Sequence, residues 1–257
     1  MLKASENYVK KIVEEEMRID NRRFDEFREI KIETDVIKNA EGSARVLMGN
    51  THVLVGIKMS VASPFPDTPD EGMLIVNAEL APIASPTFEP GPPNEDSIEL
   101  ARVVDRGIRE SHCIGLEKLC IEEGKEVWEI NIDIHVLDYD GNLIDAAALG
   151  AMAALLGTKI PRYENKRIVF GDYERQLPIN DRPIAITVTK ISDKLLIDPN
   201  LEEEDALDAR ITISTNEKGE ICSLQKGGEG YFTTEELERA ADLSILKGKE
   251  LRNLLGN

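Results

Sequence analysis

Three cysteines in 257 residues, Cys113, Cys120 and Cys222, are scattered and form no CxxC pair. A disulfide framework and a cysteine-based structural zinc are therefore not expected. The three histidines, His52, His112 and His135, are equally far apart, and none has the HExxH spacing that sets two imidazoles on one helix face. Long apolar runs are missing as well. Nothing approaches the roughly 18 to 20 apolar residues that span a bilayer. The opening MLKASENYVKKIVEEEMR has no apolar core like a signal peptide's and reads as an amphipathic helix. A cytoplasmic protein with no membrane role is expected. Surplus positive charge is the last absence. Lys and Arg number 31 against 49 Asp and Glu, a net charge of −18. That opposes nucleic acid as a partner of the whole surface, because phosphate backbones reward positive charge. Distribution matters more than the sum, however. Acid is dense at 14–16, 202–205 and 235–238, while arginine gathers at 18–28 and 102–109. A locally basic surface remains open.

What is present is globular: 41% hydrophobic and 31% charged, long enough for one large domain or two modest ones. EFREIKIETDVI alternates and predicts a strand. EGSARVLMGNTHVLVGIKMSVA predicts two strands, with Gly42-Ser43 as a break and a tight turn at Gly49-Asn50. MLIVNAELAPIA is another strand, and PTFEPGPPNEDS a loop. EDSIELARVVDRGIRESH predicts a helix starting at Asp96 or Ser97. VWEINIDIHVLDYD is a strand, and NLIDAAALGAMAALLG a helix apolar on most sides, hence buried. PIAITVTKIS and KLLIDPN follow as strands, and ARITISTNEKGEICSLQKGG as a hairpin turning at Lys218-Gly219. TTEELERAADLSILKGKELRNLL is a long helix with a Thr-Glu capping start. The class is α+β (mixed α/β). The join IPRYENKRIVFGDYERQLPINDRP is polar and Pro-rich and reads as a boundary. The expected division is an N-terminal helix and arm at 1–28, a first subdomain at 29–165 and a second at 183–257.

Two features carry chemistry. DPNLEEEDALDAR packs six carboxylates into thirteen residues. It reads as a solvated acidic loop, the remnant of a site, or a metal site. Oxygen ligands need geometry as well as charge, and consecutive residues of a loop or short helix point apart. Arg102, Arg106 and Arg109 lie at i, i+4 and i+7 on the predicted helix, which places three guanidiniums along one stripe. Planar forks suit phosphate oxygens. Glu99, Asp105 and Glu110 nearby offer the plainer reading of a salt-bridged surface. Arg22, Arg23 and Arg28 form a second basic group.

Three stretches in this order resemble the RNase PH family. RIDNRRFDEFREIKIETDV is similar to its R-x-D-G-R entry, with Asn21 where glycine is usual. EGSARVLMGNTHVLVGIK resembles its next block. DYDGNLIDAAALGAMAALLGTKIP followed by LIDPNLEEEDALDARITIS matches the order and spacing of its active-site segments. The likeness covers about Arg18 to Leu255. It implies the RNase PH fold, two related sheet-and-helix subdomains of the ribosomal-protein-S5-domain-2 type. Within the family, ELARVVDRGIRES with VWEINIDIHVLDYDGNLIDAA resembles the ring subunit of the archaeal exosome that lacks its own catalytic site. Active members carry G-T-R before the buried helix, with a hydroxyl a few residues on. Here Leu143 stands at the arginine and Ala148 among the alanines at the hydroxyl position, while Asp145 puts negative charge in the first turn. The catalytic aspartate falls on Arg210, which cannot serve as a proton-handling acid and could be reused as an ion-pair partner.

The resemblance thus implies no catalytic residue, no metal and no cofactor of its own; phosphate and any magnesium belong to the partner's site. It implies a catalytic RNase-PH-like sister in a trimer of heterodimers, RNA-binding cap subunits, and single-stranded RNA held by Arg102, Arg106 and Arg109. The role implied is support of phosphate-dependent 3′-to-5′ RNA degradation. The rival reading is a self-sufficient phosphorolytic or metal-dependent 3′ exoribonuclease using Asp198, Glu202, Glu203 and Asp208.

Overall fold

The computed structural model describes residues 5–256. Helix α1 (Glu6–Glu14) is capped by the Ser5 hydroxyl and buries Val9 and Val13. Residues 1–4 of the expected N-terminal helix lie outside the described residues. Strands β1 (Ile30–Thr34), β2 (Gly42–Met48), β3 (Thr51–Ala62), β4 (Met73–Leu80), β5 (Cys120–Glu122) and β6 (Glu126–Asp138) form one sheet. Its order is β1-β2-β3-β6-β4, with β5 beside β6; β4 runs parallel to β6 and the other pairs are antiparallel. The pattern that predicts β3 also explains it. Every second residue from Thr51 to Met59 is buried, and the residues between are half-buried. Gly49 turns the β2–β3 hairpin at φ 59°.

Helices α2 (Glu95–Glu110) and α3 (Leu143–Gly157) cover the inner face of that sheet. Beyond them lies a second antiparallel sheet of β9 (Ile184–Ile191), β10 (Lys194–Ile197), β11 (Ala209–Thr215) and β12 (Ile221–Gly227), in the order β10-β9-β11-β12. Helix α5 (Thr234–Leu254), opened by a capping box between Thr233 and Glu236, packs on this second sheet. Arg252 anchors it there, donating to the Thr215 carbonyl at 2.7 Å. With apolar layers on both sides, α3 and β9 are buried almost throughout, which is why neither shows a polar face in sequence. One apolar core runs from β2 and β3 through α3 to β9 and β11.

Two local expectations need correction, and one element was not expected. Gly42 opens β2 rather than breaking a strand. A Cβ there would stand 2.2 Å from Thr158 Oγ1 and 2.5 Å from the Ala154 carbonyl, so the close approach of the α3 C-terminus demands glycine. Helix α2 is capped by Asn94, whose side chain accepts from the Ser97 N–H at 3.0 Å, two or three residues before the expected start. The polar join has its own secondary structure, which the sequence did not predict. It is a hairpin of β7 (Lys159–Glu164) and β8 (Arg167–Gln176), turned by Asn165 and Lys166 at φ 51° and 60°. Both central residues are left-handed, as a two-residue hairpin turn requires. Lysine in place of the usual glycine hid that turn from a sequence reading. Among the described residues, no helix is long and apolar enough to cross a membrane.

Candidate functional site

The acidic stretch is folded and tied to the rest of the chain. Residues Leu201–Asp205 fold into a short helix, α4, with a capping box between Asn200 and Glu203. Glu203 is buried and meets a buried arginine. Arg18 Nε donates to Glu203 Oε1 at 2.8 Å and Nη2 to Oε2 at 2.6 Å, and both side chains are 0% exposed. The other Arg18 protons reach the Ile197 and Asp198 carbonyls at 3.1 and 2.8 Å. Asp198 is held by Arg28 (2.7 Å) and Arg22 (2.9 Å). Burial pushes the Asp198 carboxyl up, but the hydrogen bond and charge of Arg28 outweigh this and hold it below the usual carboxylate range. Asp208 accepts from Lys10 at 3.0 Å and from the Ser192 N–H at 2.7 Å. Asp198, Glu203 and Asp208 therefore each serve a cation of the N-terminal arm. Among the described residues, no group of three His, Cys, Asp or Glu side chains converges as a metal site.

The basic group at 18–28 is spent on the same contacts. Arg22 and Arg28 are largely buried, and Arg23 pairs at the surface with Asp25 at 3.0 Å. Asn21 adopts φ 61°, a left-handed conformation that asparagine tolerates almost as glycine does.

Where α2, α3 and α4 approach each other, the surface opens into a cleft of about 230 Å³. Its walls include Phe88, Tyr139 and Leu143, the carboxylates of Asp96, Glu99, Glu204 and Asp205, and Arg210. Phe88 and Tyr139 stack with ring centroids 5.3 Å apart. Arg210 lies over Gly227, whose Cβ would come 2.8 Å from Nε, and its Nη2 pairs with Glu99 at 2.7 Å. Leu143 presents an apolar wall, and Ala148 sits five residues further along α3, half-buried against the core. The lining thus offers four carboxylates and one guanidinium that is already engaged. An incoming phosphate would meet net repulsion here.

Asp145 faces the second sheet, not the cleft. It is fully buried, accepts from the Thr187 N–H (3.0 Å), the Thr187 hydroxyl (2.7 Å) and Asn142 Nδ2 (3.1 Å), and burial pushes its carboxyl up to about 7. The carboxylate that does meet the turn before α3 is Glu204. Its Oε1 accepts from the Asn142 N–H at 2.9 Å and its Oε2 from the Tyr139 hydroxyl at 2.6 Å. Burial raises the Glu204 carboxyl, and these donors oppose the shift. Sequence reasoning missed Glu204 and Tyr139. The triple-glutamate run marks the place, but only the α4 geometry tells which of the three carboxylates meets the turn before α3.

The raised Asp145 carboxyl has a measurable consequence. A folded-state value above the unfolded one means that the folded protein holds the extra proton, so stability from this group is lost as pH rises through the window between them. The stability of wild type relative to Asp145→Asn is expected to decline between about pH 4 and pH 7, by up to about 4 kcal/mol, the equivalent of three pH units. Urea unfolding of both proteins across that range checks it; parallel curves would refute the assignment.

The three arginines of the stripe make different contacts. Arg102 is exposed and makes no ion pair among the described residues. Arg106 reaches towards the second sheet and donates to Gln225 Oε1 at 3.0 Å. Arg109 turns the other way, pairing with Asp105 at 2.7 Å and donating to the Leu74 carbonyl of β4 at 3.0 Å.

Two antiparallel-rich sheets with helices between them, and a cleft where the central helices meet the acidic segment, set the architecture. Residues 26–161 match the first domain of the 3′ exoribonuclease family and residues 181–245 its second domain. The chain belongs to this RNase PH family. It is 51% identical over 243 residues to the exosome complex component Rrp42 of Methanothermobacter thermautotrophicus, covering 93% of this chain and 90% of that one. It is 53% identical over 249 residues to Rrp42 of Thermococcus gammatolerans, covering 95% and 91%. Among solved structures it is similar to a chain of the Archaeoglobus fulgidus exosome with RNA bound to the active site (TM-score 0.91, 49% identity, 96% of each chain). An archaeal exosome core chain matches with TM-score 0.89 and 44% identity over 98% of this chain and 96% of that one.

Proposed function

We propose that this chain is the non-catalytic, RNA-contacting subunit of an archaeal exosome ring, pairing with a catalytic RNase-PH-like sister as a trimer of heterodimers. In that assembly the sister carries out phosphate-dependent cleavage from the 3′ end, and phosphate and any magnesium sit in its pocket. Cap subunits deliver single-stranded RNA, in the cytoplasm. The observation that carries the reading is the cleft: its one guanidinium, Arg210, is paired to Glu99 among further carboxylates, and leucine stands beside it at 143. Phosphorolysis brings an anion to an anionic linkage, and its transition state needs fixed donors rather than acids of like sign. Release of labelled nucleoside diphosphate from a 3′-labelled RNA by the lone chain, with phosphate and magnesium, is the test. No release is expected, and phosphate-dependent release would overturn the reading.

Arg102 and Arg106 carry the RNA contact in this proposal, because Arg109 is already committed to Asp105 and Leu74. Guanidiniums on phosphates give affinity without sequence preference. In the assembled ring, Arg102→Ala with Arg106→Ala is expected to weaken RNA binding roughly tenfold. It should also flatten the salt dependence by about 1.4 in log–log slope, about 0.7 per contact on a single strand. Unchanged affinity would leave a purely architectural subunit. Native mass measurement after co-expression with the sister is expected to give an equimolar hexamer.

A further inference from the structure

The turn before α3 is built to present a donor, and the chain supplies its own acceptor. The Gly141 carbonyl is held from one side, by Thr51 Oγ1 at 2.6 Å and Arg28 Nη2 at 3.2 Å. In a trans peptide the N–H of the next residue points the opposite way. The Asn142 N–H is thereby turned from Arg28 towards α4. The Tyr139 hydroxyl converges on the same spot, and the two donors meet the two oxygens of one carboxylate, that of Glu204. The acceptor is as firmly placed as the donors. Successive residues of a helix point about 100° apart, so with Glu203 locked onto Arg18 its neighbour Glu204 has to face the α3 entrance.

We propose that Glu204 is a built-in anion: its carboxylate occupies the oxyanion position formed by the Asn142 N–H and the Tyr139 hydroxyl, and so keeps inorganic phosphate out of the cleft. This rests on the non-catalytic reading and names the residue that enforces it. A second anion there would lie within a few ångströms of a fixed negative charge.

The test uses the isolated full-length chain, inorganic phosphate as probe, and the Asn142 amide resonance of nitrogen-15-labelled protein as readout. In wild type that amide is expected to ignore phosphate. In Glu204→Ala it should shift on loss of its acceptor and then titrate saturably with phosphate, at least about tenfold more tightly than any wild-type response. Glu204→Ser serves as a second variant if the alanine protein does not fold. Equal responses in wild type and variant, or an Asn142 amide that phosphate does not move in a folded variant, would overturn the proposal. Either result leaves the non-catalytic reading standing; that reading falls only to phosphate-dependent cleavage by the wild-type chain.

Discussion

Replacing Arg18 with methionine is expected to destabilise the protein by about 3–5 kcal/mol, the usual cost of leaving one partner of a buried ion pair alone. The substitution keeps most of the side-chain volume. It strips Glu203 of both its charge-assisted hydrogen bonds, at 2.8 and 2.6 Å, while leaving the carboxylate enclosed. It also leaves the Ile197 carbonyl without its guanidinium donor and the Asp198 carbonyl with that of Arg22 alone. Urea unfolding measures the loss. The double replacement Arg18→Met with Glu203→Leu should recover much of it, because an apolar pair of similar volume carries no desolvation cost. If the methionine variant lost less than about 1 kcal/mol, the arm would not be the fastening described here.

Gly141→Ala is expected to cost a similar amount, about 3–5 kcal/mol, from two additive causes. The residue sits at φ 83°, where a Cβ is strained, and the new carbon would stand 2.5 Å from both the Asn200 carbonyl carbon and the Pro199 oxygen. Those atoms are backbone and have no rotamer to yield. Gly124→Ala is the control: its φ of 72° is comparable, but nothing lies within 4 Å of the added carbon. It should lose only the left-handed penalty, roughly 1 kcal/mol. Thermal unfolding of the two variants separates strain from collision. Equal losses would mean that α4 does not press on the turn before α3 as described.

The strands and long helices were legible because each obeys one period: two along β3, and capped helical runs at α2 and α5. The β7–β8 hairpin was not, because its turn uses Asn165-Lys166, a dipeptide that promises nothing locally. The site divides the same way. Arg210 was singled out in the sequence as a possible ion-pair partner, and it pairs with Glu99 of the acid-rich helix α2. The roles of Asp145 and Glu204 were hidden. Asp145 reads as a first-turn acid, yet its oxygens bond Thr187, 42 residues away. Sequence spacing along one element says nothing about which of its faces another element will cover.

The contacts of the N-terminal arm impose an order on assembly. Arg18 binds a glutamate 185 positions later and Lys10 an aspartate 198 positions later. During synthesis the arm therefore has nothing to close upon until the segment from Asp198 to Asp208 has been made. Its arginines travel in water as ordinary surface cations through that interval. They become interior groups only when α4 appears, so the arm docks after the segment it fastens.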